Sequence, residues 1–117
     1  MARVASLWGP PLAWMMVLFL LSSRPTLGLA GAVPDWITHG TAYLILSGLL
    51  CRALAGGRNS VSTAGAAFAI VLATLYGISD EYHQSYVPGR TADVADVLKD
   101  AGGACLGALL YRLMVRE

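Results

Sequence analysis

Apolar residues arrive in this chain as four long blocks separated by short polar punctuation, and the pattern predicts four helices. The blocks cover residues 7–23, 36–54, 63–78 and 97–115. Each is roughly 16 to 19 residues, or about 24 to 29 Å as a helix rising 1.5 Å per residue, near the thickness of a bilayer's hydrocarbon core. Spans of that length suit a thin bilayer or little tilt. Arg24-Pro25-Thr26 ends the first block, and a loose loop from Gly28 to Pro34 leads into Asp35. Ala55-Gly56-Gly57-Arg58-Asn59-Ser60 makes the turn between the second and third helices. Val87-Pro88-Gly89-Arg90 reads as a type II turn, with proline pre-set at its second position and glycine supplying positive φ at the third. No internal repeat or low-complexity tract interrupts this order. The expectation is an all-α fold, an integral membrane bundle of four transmembrane helices forming a single domain over residues 1–117.

Composition agrees. The chain is 56% hydrophobic and 13% charged, with a mean hydropathy of +0.62, beyond the usual range of a soluble domain. A net charge of +1 without a basic stripe argues against nucleic acid as a partner. Cys51 and Cys105 fall in separate blocks with no metal-ligand spacing, so both read as small packing residues.

The basic residues predict orientation. With the N-terminus inside, Arg3, Arg52, Arg58, Arg112 and Arg116 face the cytoplasm, while Arg24, Arg90 and Lys99 lie outside. Both termini are then cytoplasmic in a multi-pass protein of the cell membrane. Six of the seven acids gather at the outer side, an asymmetry better explained by function than by topology. The first block has a second reading, as a signal peptide cleaved near Gly28-Leu29-Ala30, with Pro10-Pro11 interrupting a longer helix. Under either reading the later spans keep their orientation.

Ionisable residues concentrate in the stretch from Gly77 to Asp96, and such a gathering in a membrane protein usually marks the working site. Asp35 and His39 are four apart and share a helix face. Asp80, His83 and Gln84 do likewise if the third helix continues past Ile78. Asp93, Asp96 and Asp100 repeat at three and four, and Gly103 and Gly107 extend that stripe as a small-residue face open to close backbone approach, so the stripe should face the bundle with its carboxylates in a pocket. Three helices thus deliver Asp35, His39, Asp80, Glu81, His83, Arg90, Asp96 and Asp100 to one outer-leaflet cavity. Each has a blander role as well: Arg90 pairing with Asp93 or Asp80, Asp35 and His39 capping a helix start, Asp100 bonding a facing helix. Trp36, Tyr43, Tyr82 and Tyr86 suit an aromatic belt at the interface.

Asp35-(three residues)-His39, then Asp80-Glu81-Tyr82-His83-Gln84-Ser85-Tyr86-Val87-Pro88-Gly89-Arg90, then Asp96 with Asp100 and Gly103 at helical spacing, resembles the VanZ-like family of small bacterial membrane proteins. The resemblance covers residues 35–107, and its central motif is long and specific. It implies a four-helix membrane protein linked to the cell envelope, whose namesake is associated with resistance to the glycopeptide teicoplanin. The family's characteristic polar residues correspond to Asp35, His39, Glu81, Gln84, Arg90 and Asp96. Two positions depart from the pattern: Asp100 stands where asparagine is usual, and Gly40 where an aromatic residue often follows the histidine. Asp100 brings a carboxyl where the family has an amide, which changes what the site would prefer to bind.

In such a site Glu81 and His83 are the candidate catalytic base and acid. Asp35, His39, Asp80, Gln84, Arg90, Asp96 and Asp100 are the candidate binding residues, with Arg90 suited to a phosphate or carboxylate. The acids would repel a lipid-linked pyrophosphate unless a metal intervened; Asp80, Glu81, His39 and His83 offer ligands for one, without a tight ligand motif. Cofactor and oligomeric state stay open. Two classes of function follow. One is an enzyme acting on a lipid-linked cell-wall precursor or another membrane lipid at the outer leaflet. The other is a non-catalytic accessory protein that binds such a lipid or the antibiotic's target. Beside these two classes stands a less favoured reading, a structural partner whose Gly103/Gly107 face takes a helix of another protein.

Overall fold

A computed structural model of the chain describes residues 1–23 and 33–116. It contains four helices, α1 (Ala2–Ser22), α2 (Asp35–Leu54), α3 (Thr63–Gln84) and α4 (Val94–Met114). Each has 20 to 22 residues, about 30 to 33 Å at 1.5 Å per residue, enough to cross a bilayer core of ordinary thickness. The thin bilayer suggested by the apolar blocks is therefore not required. The helices outrun those blocks because their ends are polar turns that hydropathy does not count. Three of them, α1 to α3, are long and apolar enough to cross a membrane. α4 is as long but carries Asp96, Lys99, Asp100 and Arg112. The segment 24–32, with the expected helix stop at Arg24-Pro25-Thr26 and the Gly28-Leu29-Ala30 cleavage site, lies outside the described residues, as does Glu117.

Local chemistry explains the ends. Ser62 caps α3, its hydroxyl accepting from the Gly65 N–H at 2.9 Å, and Asp93 caps α4 by accepting from the Ala95 N–H at 2.9 Å. α3 runs on through Ser79 to Gln84, as the spacing of Asp80, His83 and Gln84 requires. Gly89 then takes φ +81° and Arg90 N–H closes on Val87 O at 3.1 Å, the turn expected of Val87-Pro88-Gly89-Arg90. α1 differs from expectation, running unbroken through Pro10 and Pro11. Pro10 has no N–H for the Ser6 carbonyl four residues back. Arg52 supplies the missing donor, its Nη1 reaching Ser6 O at 2.9 Å.

α1 and α3 run one way, α2 and α4 the other. The start of α1 meets the α2–α3 turn, where Arg3 donates to Gly56 O. Its other end meets the end of α3, where Ser22 lies 3.4 Å from His83 Nδ1. Trp14 Nε1 donates to Ala42 O at 2.8 Å and Tyr76 OH to Met15 O, fastening α1 to both neighbours. α2 and α4 share the largest interface. A Cβ at Gly103 would strike the Gly40 backbone, and one at Gly107 the Leu44 backbone. Ser47 crosses the same seam to donate to Ala104 O at 2.7 Å. The small-residue face is thus buried within the chain, as expected of a stripe facing the bundle, and is taken up by α2 in place of a helix of another protein. α4 rests against the Gly40 backbone, but a Cβ at Gly40 itself would meet nothing within 4 Å, so the seam requires glycine at 103 and leaves the glycine at 40 without a structural explanation.

The core is built of small residues: Ala69, Ala73 and Ala104 are wholly buried, beside Leu46 and Cys51. Larger apolar side chains such as Phe68, Leu75 and Leu109 face outward. That inversion suits a bundle whose solvent is lipid, where close backbone packing and not exclusion of oil holds helices together.

Candidate functional site

The polar residues collect at one end of the bundle, where α1 and α3 finish and α2 and α4 begin. The opposite end holds Arg3, Arg52, Arg58, Arg112 and Arg116. From α2, Asp35 and His39 project along one face toward α4. His39 Nδ1 lies 2.8 Å from Asp100 Oδ1, while its Nε2 is 3.6 Å from Asp35 Oδ1 and 3.9 Å from Asp96 Oδ2. Lys99 Nζ joins the outer oxygens of the same two acids, at 2.7 Å from Asp35 Oδ2 and 3.1 Å from Asp96 Oδ1. Asp35 makes no side-chain cap at the start of α2; its carboxylate is committed to this network.

Asp100 is fully buried. It has that room because Gly77 lies opposite on α3: a Cβ there would sit 2.8 Å from Asp100 Oδ2. A glycine at this point of α3 lets a carboxyl from α4 reach an imidazole on α2.

On α3, Asp80, Glu81 and Gln84 are buried. Glu81 Oε2 accepts from the Asp93 N–H at 2.8 Å, tying the 85–93 loop to the helix that precedes it. His83 turns toward α1. Its ring stacks on Phe19 with centroids 4.5 Å apart, and its nitrogens lie 3.4 and 3.5 Å from the Ser22 and Ser23 hydroxyls. Arg90 folds back over the end of α1, Nη2 donating to Leu21 O at 3.3 Å.

Between α1, α2 and α3 these residues leave a cavity of about 120 Å³, whose polar wall is Ser22, Thr38, His39, Tyr43, Asp80, Gln84 and Arg90. Two of its polar atoms, Tyr43 OH and Asp80 Oδ1, are buried with no hydrogen-bond partner among the described residues. Behind the wall Glu81 Oε1 and Asp100 Oδ2 are in the same condition. Unmet polar atoms are costly in a low-dielectric interior, so four of them at one end of a small bundle mark a place arranged for something other than stability. A larger groove of about 290 Å³ lies on another face of α2, against α4; Lys99 at its edge is its one ionisable wall residue among the described residues.

Asp35, His39 and Asp96 place three ligand atoms within 4.8 Å of one another and are the described residues best disposed to hold a metal ion. Lys99 already sets an ammonium against both carboxylates of that trio. The set suggested by sequence, Asp80, Glu81, His39 and His83, does not converge in this way among the described residues.

Most of the expected residues are therefore brought together: Asp35, His39, Asp96 and Asp100 in one network, Asp80, Gln84 and Arg90 with His39 around one cavity. Two residues escaped the sequence reading. Tyr43, assigned to the interfacial belt, is 2% exposed and lines the cavity, whereas Trp36, Tyr82 and Tyr86 are 65 to 69% exposed as expected of a belt. The signal was present, since Tyr43 follows His39 by four residues as His39 follows Asp35. Lys99 was counted only for topology, yet it follows Asp96 by three.

The sequence profile described as VanZ/LLP1 matches residues 11–115. No curated protein and no solved structure matches the chain.

Proposed function

The chain therefore belongs to the VanZ/LLP1 family, and on that premise we propose that it spans the membrane four times and acts on the polar head of a lipid-linked envelope molecule at the outer leaflet. Crossing by α4 is supported by where its charges point. Asp100 is enclosed and the Asp96 side chain is 14% exposed, while Leu98, Leu106, Leu109 and Leu113 face outward. Intramembrane charges that face inward and pair are tolerated. Both termini are cytoplasmic, because five arginines sit at the end opposite the site.

The observation that carries the reading is His39 on the cavity wall with its Nδ1 held 2.8 Å from an enclosed carboxyl. An imidazole oriented by a buried carboxylate is the common arrangement of a proton-transferring side chain. His39 takes the role that sequence had offered to Glu81 and His83, since Glu81 is engaged with the Asp93 N–H and His83 with α1. Arg90 at the cavity supplies positive charge for a phosphate or carboxylate.

The test is mass spectrometry of envelope lipids incubated with purified wild-type protein, His39→Gln and Glu81→Gln. A mass change produced by wild type and Glu81→Gln but lost in His39→Gln supports the assignment. A lipid that co-purifies unchanged with all three favours the accessory reading, which has its own support in the ion pairs that hold His39 between Asp35, Asp96 and Asp100. The association of the family's namesake with teicoplanin resistance adds a cellular expectation: expression in a susceptible host raises the inhibitory concentration of teicoplanin, and His39→Gln does not.

A further inference from the structure

Charge is divided along the wall of the site cavity. Asp80 on α3 is 9% exposed and Tyr43 on α2 is 2% exposed, and each has one oxygen without a partner among the described residues. Arg90 lies on the same wall, reached from the loop and draped over the last turn of α1. A carboxylate accepts hydrogen bonds and donates none, so the unmet oxygen of Asp80 calls for a donor from the occupant. Tyr43 offers a second oxygen able to accept. The Arg90 guanidinium, which already donates to Leu21 O, carries a fixed positive charge that attracts the opposite, a planar or tetrahedral oxyanion.

One small bare cation does not meet these demands. Asp80 belongs to no group of three acids or histidines whose ligand atoms lie within 4.8 Å of one another among the described residues. A simple anion does not meet them either, because it would leave Asp80 and Tyr43 unsatisfied and bring like charge against the carboxylate. The cavity, about 120 Å³, corresponds to about four waters at about 30 Å³ each. That is room for an amine on a short stem, with its anionic part at the opening.

We infer that the cavity seats a dipolar phospho-amine, its primary amine on Asp80 and Tyr43 and its phosphate on Arg90. The inference deepens the head-group reading and rests on it for the location of the ligand. The same chemistry comes from two sources, a phosphoethanolamine lipid or a soluble phosphoethanolamine, and the experiment separates them.

Purified protein is reconstituted in nanodiscs of equal parts phosphatidylethanolamine and phosphatidylglycerol, then released, and the retained lipid is weighed by native mass spectrometry. In parallel, O-phosphoethanolamine, ethanolamine and inorganic phosphate are titrated calorimetrically in detergent. Wild type retains the amine lipid over the glycerol lipid by about tenfold, a preference of the size one good polar contact confers. Asp80→Asn and Tyr43→Phe, each nearly isosteric and each checked for a monodisperse helical protein, reduce that preference, while Arg90→Gln weakens retention of both lipids. Two variants on different helices guard against one that fails to fold.

Equal retention of both lipids by wild type, or a preference unchanged in both Asp80→Asn and Tyr43→Phe, overturns the inference. Retention of an amine-free anionic lipid alone overturns it while leaving the lipid reading in place. Binding of O-phosphoethanolamine without retention of any lipid supports the dipolar seat and removes the lipid reading. Ethanolamine or phosphate binding as tightly as O-phosphoethanolamine overturns the two-point geometry.

Discussion

At the scale of single residues, Glu81 separates a structural role from a chemical one. Its Oε2 accepts the Asp93 N–H at 2.8 Å, and glutamine presents a carbonyl oxygen at the same reach. Glu81→Gln should thus hold the 85–93 loop and keep activity, whereas Glu81→Ala strands a part-buried donor at about 1 to 3 kcal/mol. Thermal melting in detergent beside the lipid assay reads both effects; an inactive but fully stable Glu81→Gln would return the chemistry to Glu81. Much of this level was readable from spacing. Asp35 with His39 and Asp96 with Asp100 are each one helical turn apart, and those turns did face each other. Two things were not readable. That Asp100 rather than Asp35 grips the His39 ring depends on the relative rotation of α2 and α4, and the room for it depends on Gly77 in a third helix. His83 sits in the same motif as Asp80 and Gln84, but its position around α3 brings it to the end of α1, which no pattern within α3 announces.

At the scale of helices, the seam between α2 and α4 decides the architecture. Gly103 and Gly107 lie against the backbones of Gly40 and Leu44, with no room for a methyl group at either position. Gly102, one residue away, has open space within 4 Å of where a methyl group would stand. Gly103→Ala must therefore push the helices apart and should cost about 1 to 3 kcal/mol, as overpacking does. Gly102→Ala should be neutral or stabilise by up to about 1 kcal/mol, because alanine is the better helix former. Comparing melting temperatures of the two variants checks the pair; equal losses would mean that the seam is looser than its geometry implies. The stripe Gly103–Gly107 told from sequence alone of close approach within the bundle, without saying that α2 would be the approaching helix or that Gly40 and Leu44 would meet it. Helix ends were legible only in part. The Pro88-Gly89 turn was legible from its own residues. The Ser62 and Asp93 caps are local too but went unread, the fourth block starting at 97 and α4 at Val94, and the passage of α1 through Pro10 and Pro11 depends on Arg52 from another helix.

At the scale of the whole molecule, the bundle is polarised along its axis. One end holds the acids, His39 and the cavity, and the other holds five arginines. The four apolar blocks foretold the helix count, but they did not distinguish α4, whose charged residues lower its hydropathy while its outward face remains leucine-rich. If α4 crosses with the others, the loop between α3 and α4 lies outside the cell and the α2–α3 turn inside. Thr91 and Asn59 are exposed positions in those two segments, away from the helix seams. With Cys51 and Cys105 replaced by alanine, Thr91→Cys in intact cells should react with a membrane-impermeant maleimide. Asn59→Cys should react only after the membrane is opened. Labelling of Asn59→Cys from outside would invert the protein and place the cavity at the inner leaflet, where an envelope lipid's head group would have to be met before export. Adding a cysteine after Arg116 completes the count: protection in intact cells alongside a reactive Thr91→Cys requires the chain to cross between them, and α4 is the helix that lies there. The charge pattern makes that arrangement the favoured one, since it leaves Arg112 and Arg116 on the same side as Arg3, Arg52 and Arg58.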